Sequence, residues 1–263
     1  MLSQLFAHVL DSVRVNRCRE YVCEEKIYIL KKRLNNLDWL VVLGNVFLRW
    51  SKSRIRMFPS VSAWKKWELY SYALLHGERY DSKDIGDRSI LIEKLPGRDL
   101  RSLAAASKLN AEIVESSAKE LLRAHDLFSE MLGEGWSHGD PHMANFIYDD
   151  VTKKCYLIDF ETYHEKQYTQ LQRQADDVLV LLLDMMGRVP GKYFAEWTPI
   201  FLATYNRPTV FDELSGRLVC PRGWERVLWM TRSKHLSDIE LNKKLTMLKE
   251  MLTPYTNESG NKG

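Results

Sequence analysis

Cysteine is scarce in this chain of 263 residues, and the four present (Cys18, Cys23, Cys155, Cys220) form no C-x-x-C pair. A zinc ribbon or a disulfide framework is therefore not expected; reduced thiols in a cytoplasm are. Charge of one sign is lacking too. Against 38 basic residues stand 35 acidic ones, a net +3 that gives no global reason to expect nucleic acid or a membrane as a partner. Long apolar runs are missing. The longest near the N-terminus, "WLVVLGNVFLRW" (39–50), is interrupted by Asn45 and Arg49 and falls short of the roughly 20 residues a membrane span needs. The opening "MLSQLFAHVLDSVRVNRCRE" has no basic n-region and no small-residue cleavage site, so a signal peptide is not expected. Internal repeats are also absent.

What remains is a globular composition, 45% apolar and 11% aromatic, long enough for one large domain or two modest lobes. Strands are expected over 12–17 and 25–33. In "PSVSAWKKWELYSYALLHGE", Ser60 or Ser62 can cap a helix, Trp64, Trp67, Tyr70 and Leu74 recur at helical spacing, and Gly77 stops it. "DSKDIGD" (81–87) reads as a polar loop and "SILIEKL" (89–95) as a buried strand broken by Pro96-Gly97. Residues 110–132 form an amphipathic helix with Val114, Ala118, Leu121, His125, Phe128 and Leu132 on one face. Residues 144–160 read as a hairpin, and "ADDVLVLLLDMMG" (175–187), apolar nearly all round, as a buried helix. The rest is helical without further assignment, and the tail "TNESGNKG" is expected to fray. The expected architecture is α+β in two parts: a small strand-containing one (1–95) and a larger helical one (96–263), with Pro96-Gly97 as the hinge.

The chemistry concentrates in "HGDPHMAN" (138–145) and "LIDF" (157–160). Asp140 and Asn145 lie on one loop, and Asp159 closes the hairpin that returns to it. Two oxygen ligands, Asn145 and Asp159, with the Asp140 carboxylate alongside suit Mg²⁺, which prefers oxygen and keeps substrate phosphates in its shell. A carboxylate not committed to metal can orient a hydroxyl and accept its proton. Phosphoryl transfer from ATP needs these parts.

"HGDPHMANF" with "LIDFE" resembles the protein-kinase-like superfamily, in the variant shared by lipopolysaccharide (Kdo/heptose) kinases, aminoglycoside phosphotransferases and RIO-type atypical kinases. The resemblance implies a bilobal kinase-like fold, ATP and Mg²⁺, Asp140 as catalytic base, and Asn145 and Asp159 as metal ligands. "IYILKKR" resembles the strand that supplies the phosphate-binding lysine, Lys31 or its neighbour Lys32. Glu68 is the helix partner this implies, the backbone from Glu93 to Leu95 would meet adenine, and Asp177 or Asp176 would brace the catalytic loop. The chain departs from the kinase pattern in four places. No G-x-G-x-x-G loop precedes Lys31, and about 36 residues separate Lys31 from Glu68. Gly139 stands where protein kinases have Arg. Glu161 stands where they have the Gly of D-F-G, with no A-P-E after it. The acceptor implied is a hydroxyl on a sugar, small molecule or protein Ser/Thr.

Other readings remain open. His138, Asp140 and His142 alternate as H-x-D-x-H and, on a strand, would suit zinc or iron in a hydrolase. A nucleotide-binding scaffold without catalysis is the other alternative. His138 and His142 are otherwise expected to bond the loop backbone, while His125 and the scattered tryptophans belong to the core. Finally, "RWSKSRIR" (49–56) carries four bases and no acid beside an apolar run. It is either a solvated face or, with residues 39–56 as a whole, a peripheral contact with an anionic membrane.

Overall fold

The computed structural model describes residues 16–34, 38–49, 54–132, 136–233 and 236–256, and the fold is α+β. It opens with a hairpin of β1 (Asn16–Cys23) and β2 (Lys26–Arg33), joined by Glu24 and Glu25, both at positive φ, as a two-residue hairpin turn requires. The strand expected over 12–17 lies outside the described residues up to position 15; what is described of it begins β1, which runs on through "CREYVC". Next come α1 (Asp38–Leu48), β3 (Ile55–Met57) and α2 (Val61–His76). The Ser60 hydroxyl accepts from Ala63 N and caps α2, and Gly77 ends it as expected. Of the expected stripe, Trp64 is fully buried and Trp67 and Leu74 pack partly buried against the core, but the most buried face of α2 is rotated from it. That face runs through Trp64, Glu68, Ser71, Tyr72 and Leu75, leaving Tyr70 exposed.

The loop expected at 81–87 contains β4 (Ser82–Asp84), which pairs with β5 (Ser89–Glu93) to give an antiparallel sheet in the order β1-β2-β5-β4. The chain is closely packed at Pro96-Gly97. A Cβ on Gly97, at φ +110°, would lie 2.0 Å from the Tyr148 carbonyl oxygen. Beyond it come β6 (Arg98–Asp99), α3 (Leu100–Ala105) and α4 (Ala111–Leu132). The α4 stripe is buried as expected from Val114 to Phe128, but Leu132 is exposed. The predicted hairpin is β7 (Phe146–Asp149) and β8 (Lys154–Leu157), followed by β9 (Thr162–His164), which pairs with β3.

The buried helix is α5 (Gln170–Arg188). It starts five residues earlier than its apolar run because Thr169 and Gln172 close a capping box. Four further helices, α6 (Gly191–Tyr205), α7 (Pro208–Ser215), α8 (Gly223–Arg232) and α9 (Asp238–Thr256), complete the described chain. One contiguous core joins Trp64 and Ile90 to Phe128, Leu181 and Leu248. No described helix is long and apolar enough to cross a membrane. The tail after Thr256 lies outside the described residues.

Candidate functional site

Lys31 sits on β2 with its side chain turned under the sheet, whereas Lys32, one residue on, faces the other way and pairs with exposed Asp87. Thirty-seven residues along the chain, Glu68 on α2 meets it: Lys31 Nζ donates to Glu68 Oε1 at 2.8 Å. The excursion between them is absorbed by α1 and β3. Lys31 also forms an ion pair with Asp159 and lies 3.1 Å from Glu161 Oε1. Burial opposes the Lys31 charge, but Asp159, Glu68 and Glu161 outweigh it and hold its pKa well above the ordinary lysine value. For Glu68, only 1% exposed, burial prevails over Lys31 and pushes the pKa up to about 7. Burial likewise opposes the charge of Asp159, yet Lys31 lowers its pKa to about 2. The Glu161 carboxyl is pushed up by burial and then by Asp159, and it accepts a hydrogen bond from Asn16 Nδ2. Asp159 itself has φ +74°, a conformation a non-glycine residue adopts only where its surroundings enforce it.

The loop bearing Asp140 is stitched to the segment bearing Asp159. His138 Nε2 donates to the Ile158 carbonyl at 2.8 Å, and its Nδ1 accepts from Asp140 N at 3.2 Å. Both ring nitrogens are thus engaged, and burial lowers the His138 pKa, so this residue is a neutral strut. That removes it from an H-x-D-x-H metal site, and the loop is not a strand. The His142 side chain does not bond the loop backbone as expected: its Nε2 lies 3.9 Å from Asp140 Oδ2 and its Nδ1 is buried without a partner among the described residues. Asn145 donates through Nδ2 to the Asp140 carbonyl at 2.9 Å, and its own carbonyl accepts from Ile158 N at 2.9 Å. The Thr162 hydroxyl closes the seam by donating to the His138 carbonyl at 3.0 Å. Gly139 (φ +86°) leaves room for that threonine, since a Cβ there would lie 2.7 Å from Thr162 Oγ1.

Beneath this seam, α5 presents three buried carboxylates, each too costly to bury alone. Asp177 accepts from His138 N at 2.6 Å, from Gly139 N at 2.8 Å and from His125 at 3.0 Å. Burial opposes its charge, but the hydrogen bond from His125 holds its pKa below the ordinary value. It lies two turns into α5 and not at its opening. Asp176 meets His164 of β9 instead, and Asp184 accepts from Met143 N at 3.0 Å while holding Arg101 and Arg188. Sequence reasoning missed Asp184, although an acid in so apolar a helix is itself a signal of a buried partner.

Each expected site residue can now be placed. Asp140 is 40% exposed, its carboxylate accepts no hydrogen bond among the described residues, and Arg232 lies 3.9 Å away. Such a carboxylate is available to a hydroxyl. Asn145 is buried with its amide oxygen free of hydrogen bonds among the described residues, and the Asp159 side chain is 37% exposed. Both are hard oxygen donors on adjoining loops, and the crowding of Glu68, Asp159 and Glu161 within 4.8 Å of one another leaves negative charge beyond what Lys31 can neutralise. The Asn145 amide oxygen and the Asp159 carboxylate are donors of the type magnesium takes, whereas the crowding of acids beside Lys31 is not by itself a metal site. In the 93–95 linker, Glu93 N donates to Asp81 O, Glu93 O accepts from the Tyr72 hydroxyl, and Lys94 N donates to Ile27 O. Only Leu95 keeps its backbone groups unpaired among the described residues. No protein-family model matches the chain, and no curated protein matches it.

Proposed function

We propose that this chain is an ATP:alcohol phosphotransferase with a bilobal, protein-kinase-like fold, akin to the lipopolysaccharide and aminoglycoside kinases. The observation that carries the reading is the convergence on Lys31 of Glu68 from the helix side and Asp159 from the loop side, next to a braced Asp140. A strand lysine paired to a helix glutamate, with an aspartate alongside that would bind metal, is the arrangement protein kinases use for phosphoryl transfer. Residues 1–95 would form the lobe over the nucleotide and 96–263 the lobe beneath it. The free backbone of Leu95 would meet adenine, and the four free thiols suit a cytoplasmic setting.

Asp140 orients the acceptor hydroxyl and takes its proton as the acceptor oxygen bonds to the γ-phosphorus. The bond from that phosphorus to the β–γ bridging oxygen breaks, and ADP leaves with the electron pair. Lys31 holds phosphate charge, and Glu68 fixes the lysine. Asn145 and Asp159 would hold Mg²⁺, whose chemistry there is to neutralise charge on the phosphate oxygens.

The test is transfer of label from ATP to cell-envelope, small-metabolite and protein fractions. Asp140→Ala should lower turnover by roughly 10²–10⁴-fold with nucleotide binding retained, and Asp159→Ala should abolish Mg²⁺-dependent nucleotide binding. Full activity in Asp140→Ala would refute the assigned role. One observation favours a second reading, a nucleotide-binding scaffold: the β1–β2 turn is a tight Glu-Glu pair without glycine. A nucleotide-dependent thermal shift with no turnover would select it.

A further inference from the structure

Helix α1 is apolar on both sides, and only one of them is used by the fold. Its inner side packs on β3. Val41 is fully buried, and Gly44 lies so close that a Cβ would come 2.7 Å from the Met57 methyl carbon. Asn45 grips the Met57 backbone at both ends, donating to its carbonyl at 2.9 Å and accepting from its N–H at 2.8 Å. Arg88 ties down the N-terminus through Asp38 at 2.5 Å. The outer side carries Trp39, Val42, Leu43 and Val46, spaced i, i+3, i+4, i+7 and 59, 58, 42 and 45% exposed. Such a stripe normally faces a core, and here it faces outward on a helix that is firmly anchored.

We infer that this face of α1 docks on an anionic lipid bilayer, lying along its surface. Charge selects the occupant. Residues 39–56 hold four bases and no acid in sequence; Arg49 is exposed at the end of the stripe and Arg54 is about half exposed, 3.6 Å from Glu165, whereas Arg56 is buried against Glu165. Apolar side chains including a tryptophan, with Arg49 and Arg54 at one end, match the boundary between acyl chains and acidic headgroups. A second copy of the same segment would bring the same sign of charge and offers no complement. Eleven residues span about 16 Å, too short to cross a bilayer and suited to lying on one. The docking does not depend on the phosphotransferase reading.

The experiment is co-sedimentation of the full chain with phosphatidylcholine vesicles, with and without phosphatidylglycerol. Binding is expected only to the anionic vesicles and should weaken as salt rises. Arg49→Gln should weaken it about fivefold, and Trp39→Ser with Val42→Ser at least about tenfold. Both changes fall on exposed side chains, so melting curves should match the parent protein. No binding to anionic vesicles at low salt would overturn the inference, as would equal binding to neutral ones or undiminished binding by the variants. Concentration-dependent self-association that the same variants abolish, without vesicle binding, would assign the face to a second copy and equally overturn it.

Discussion

Lys31 carries one positive charge among three carboxylates, and burial makes that imbalance costly. Glu68 bears most of the cost: its pKa is raised from 4.5 to about 7 even with the lysine at 2.8 Å. Between those two values the folded protein holds a proton that the unfolded chain has released, so stability is full below pH 4.5 and falls as pH rises through 7. Glu161, also raised, adds a fall of the same sign. Asp159 acts oppositely and outside this window, its stabilisation present above 3.8 and lost as pH drops through about 2. Glu68→Gln should therefore remove most of the decline between pH 4.5 and 7, leaving the part due to Glu161; urea unfolding at several pH values would reveal an unchanged slope if Glu68 is not the cause. Lys31→Met is the complementary change. It strands three carboxylates without their cation and should cost about 3–5 kcal/mol near neutral pH, with recovery as the pH falls and the stranded carboxylates protonate. A loss independent of pH would point to packing instead.

At the scale of elements, α5 does the positioning. Asp177→Ala would leave His138 N, Gly139 N and His125 without their acceptor, each orphaned group worth roughly 1–3 kcal/mol. Unfolding free energy should fall by about 3 kcal/mol or more, and Asp177→Asn, with one acceptor oxygen, by less. Equal stability of the two variants would argue that the loop is held some other way. The role of Asp177, shared as an expectation with Asp176, was legible only through the kinase-like resemblance, and the loop with Asp140 and Asn145 was legible because its residues are contiguous. So were α2, α4, α5 and the β7–β8 hairpin, whose apolar periods are long. Strand β4 was not, since "SKD" is polar and pairs only at an edge. Most of β1 escaped for the same reason: nearly all its side chains are exposed and nothing alternates. The contacts of Asp176 and Asp184 were hidden because what selects each partner is the tilt of α5 beneath the loops, a tertiary property that no local pattern encodes. The engagement of Glu93 and Lys94 was likewise hidden, because their partners, Asp81, Tyr72 and Ile27, come from distant parts of the chain.

Across the whole molecule, the segment between Lys31 and Glu68 is more than a spacer. Asn45 on α1 clamps Met57; Met57 pairs with Thr162 across β3 and β9; and the Thr162 hydroxyl holds the His138 carbonyl beside Gly139 and Asp140. Helix α1 is thus joined by three consecutive contacts to the loop that carries the proposed base, while Lys31 and Glu68 are held by the larger sheet and α2. Mechanical continuity alone does not establish energetic coupling, but the two routes can be separated by one substitution. Asn45→Ala leaves both backbone groups of Met57 unpaired and should cost about 2 kcal/mol in stability. If the β3–β9 ladder positions the Asp140 loop, phosphoryl transfer should fall while nucleotide affinity stays close to that of the parent protein, because the lysine and its glutamate are untouched. Trp39→Ser with Val42→Ser, confined to the outer face, should leave both quantities unchanged in the absence of lipid. Unaltered transfer in Asn45→Ala, once its lost stability is offset by working at lower temperature, would make the inserted segment a docking element with no hold on the chemistry.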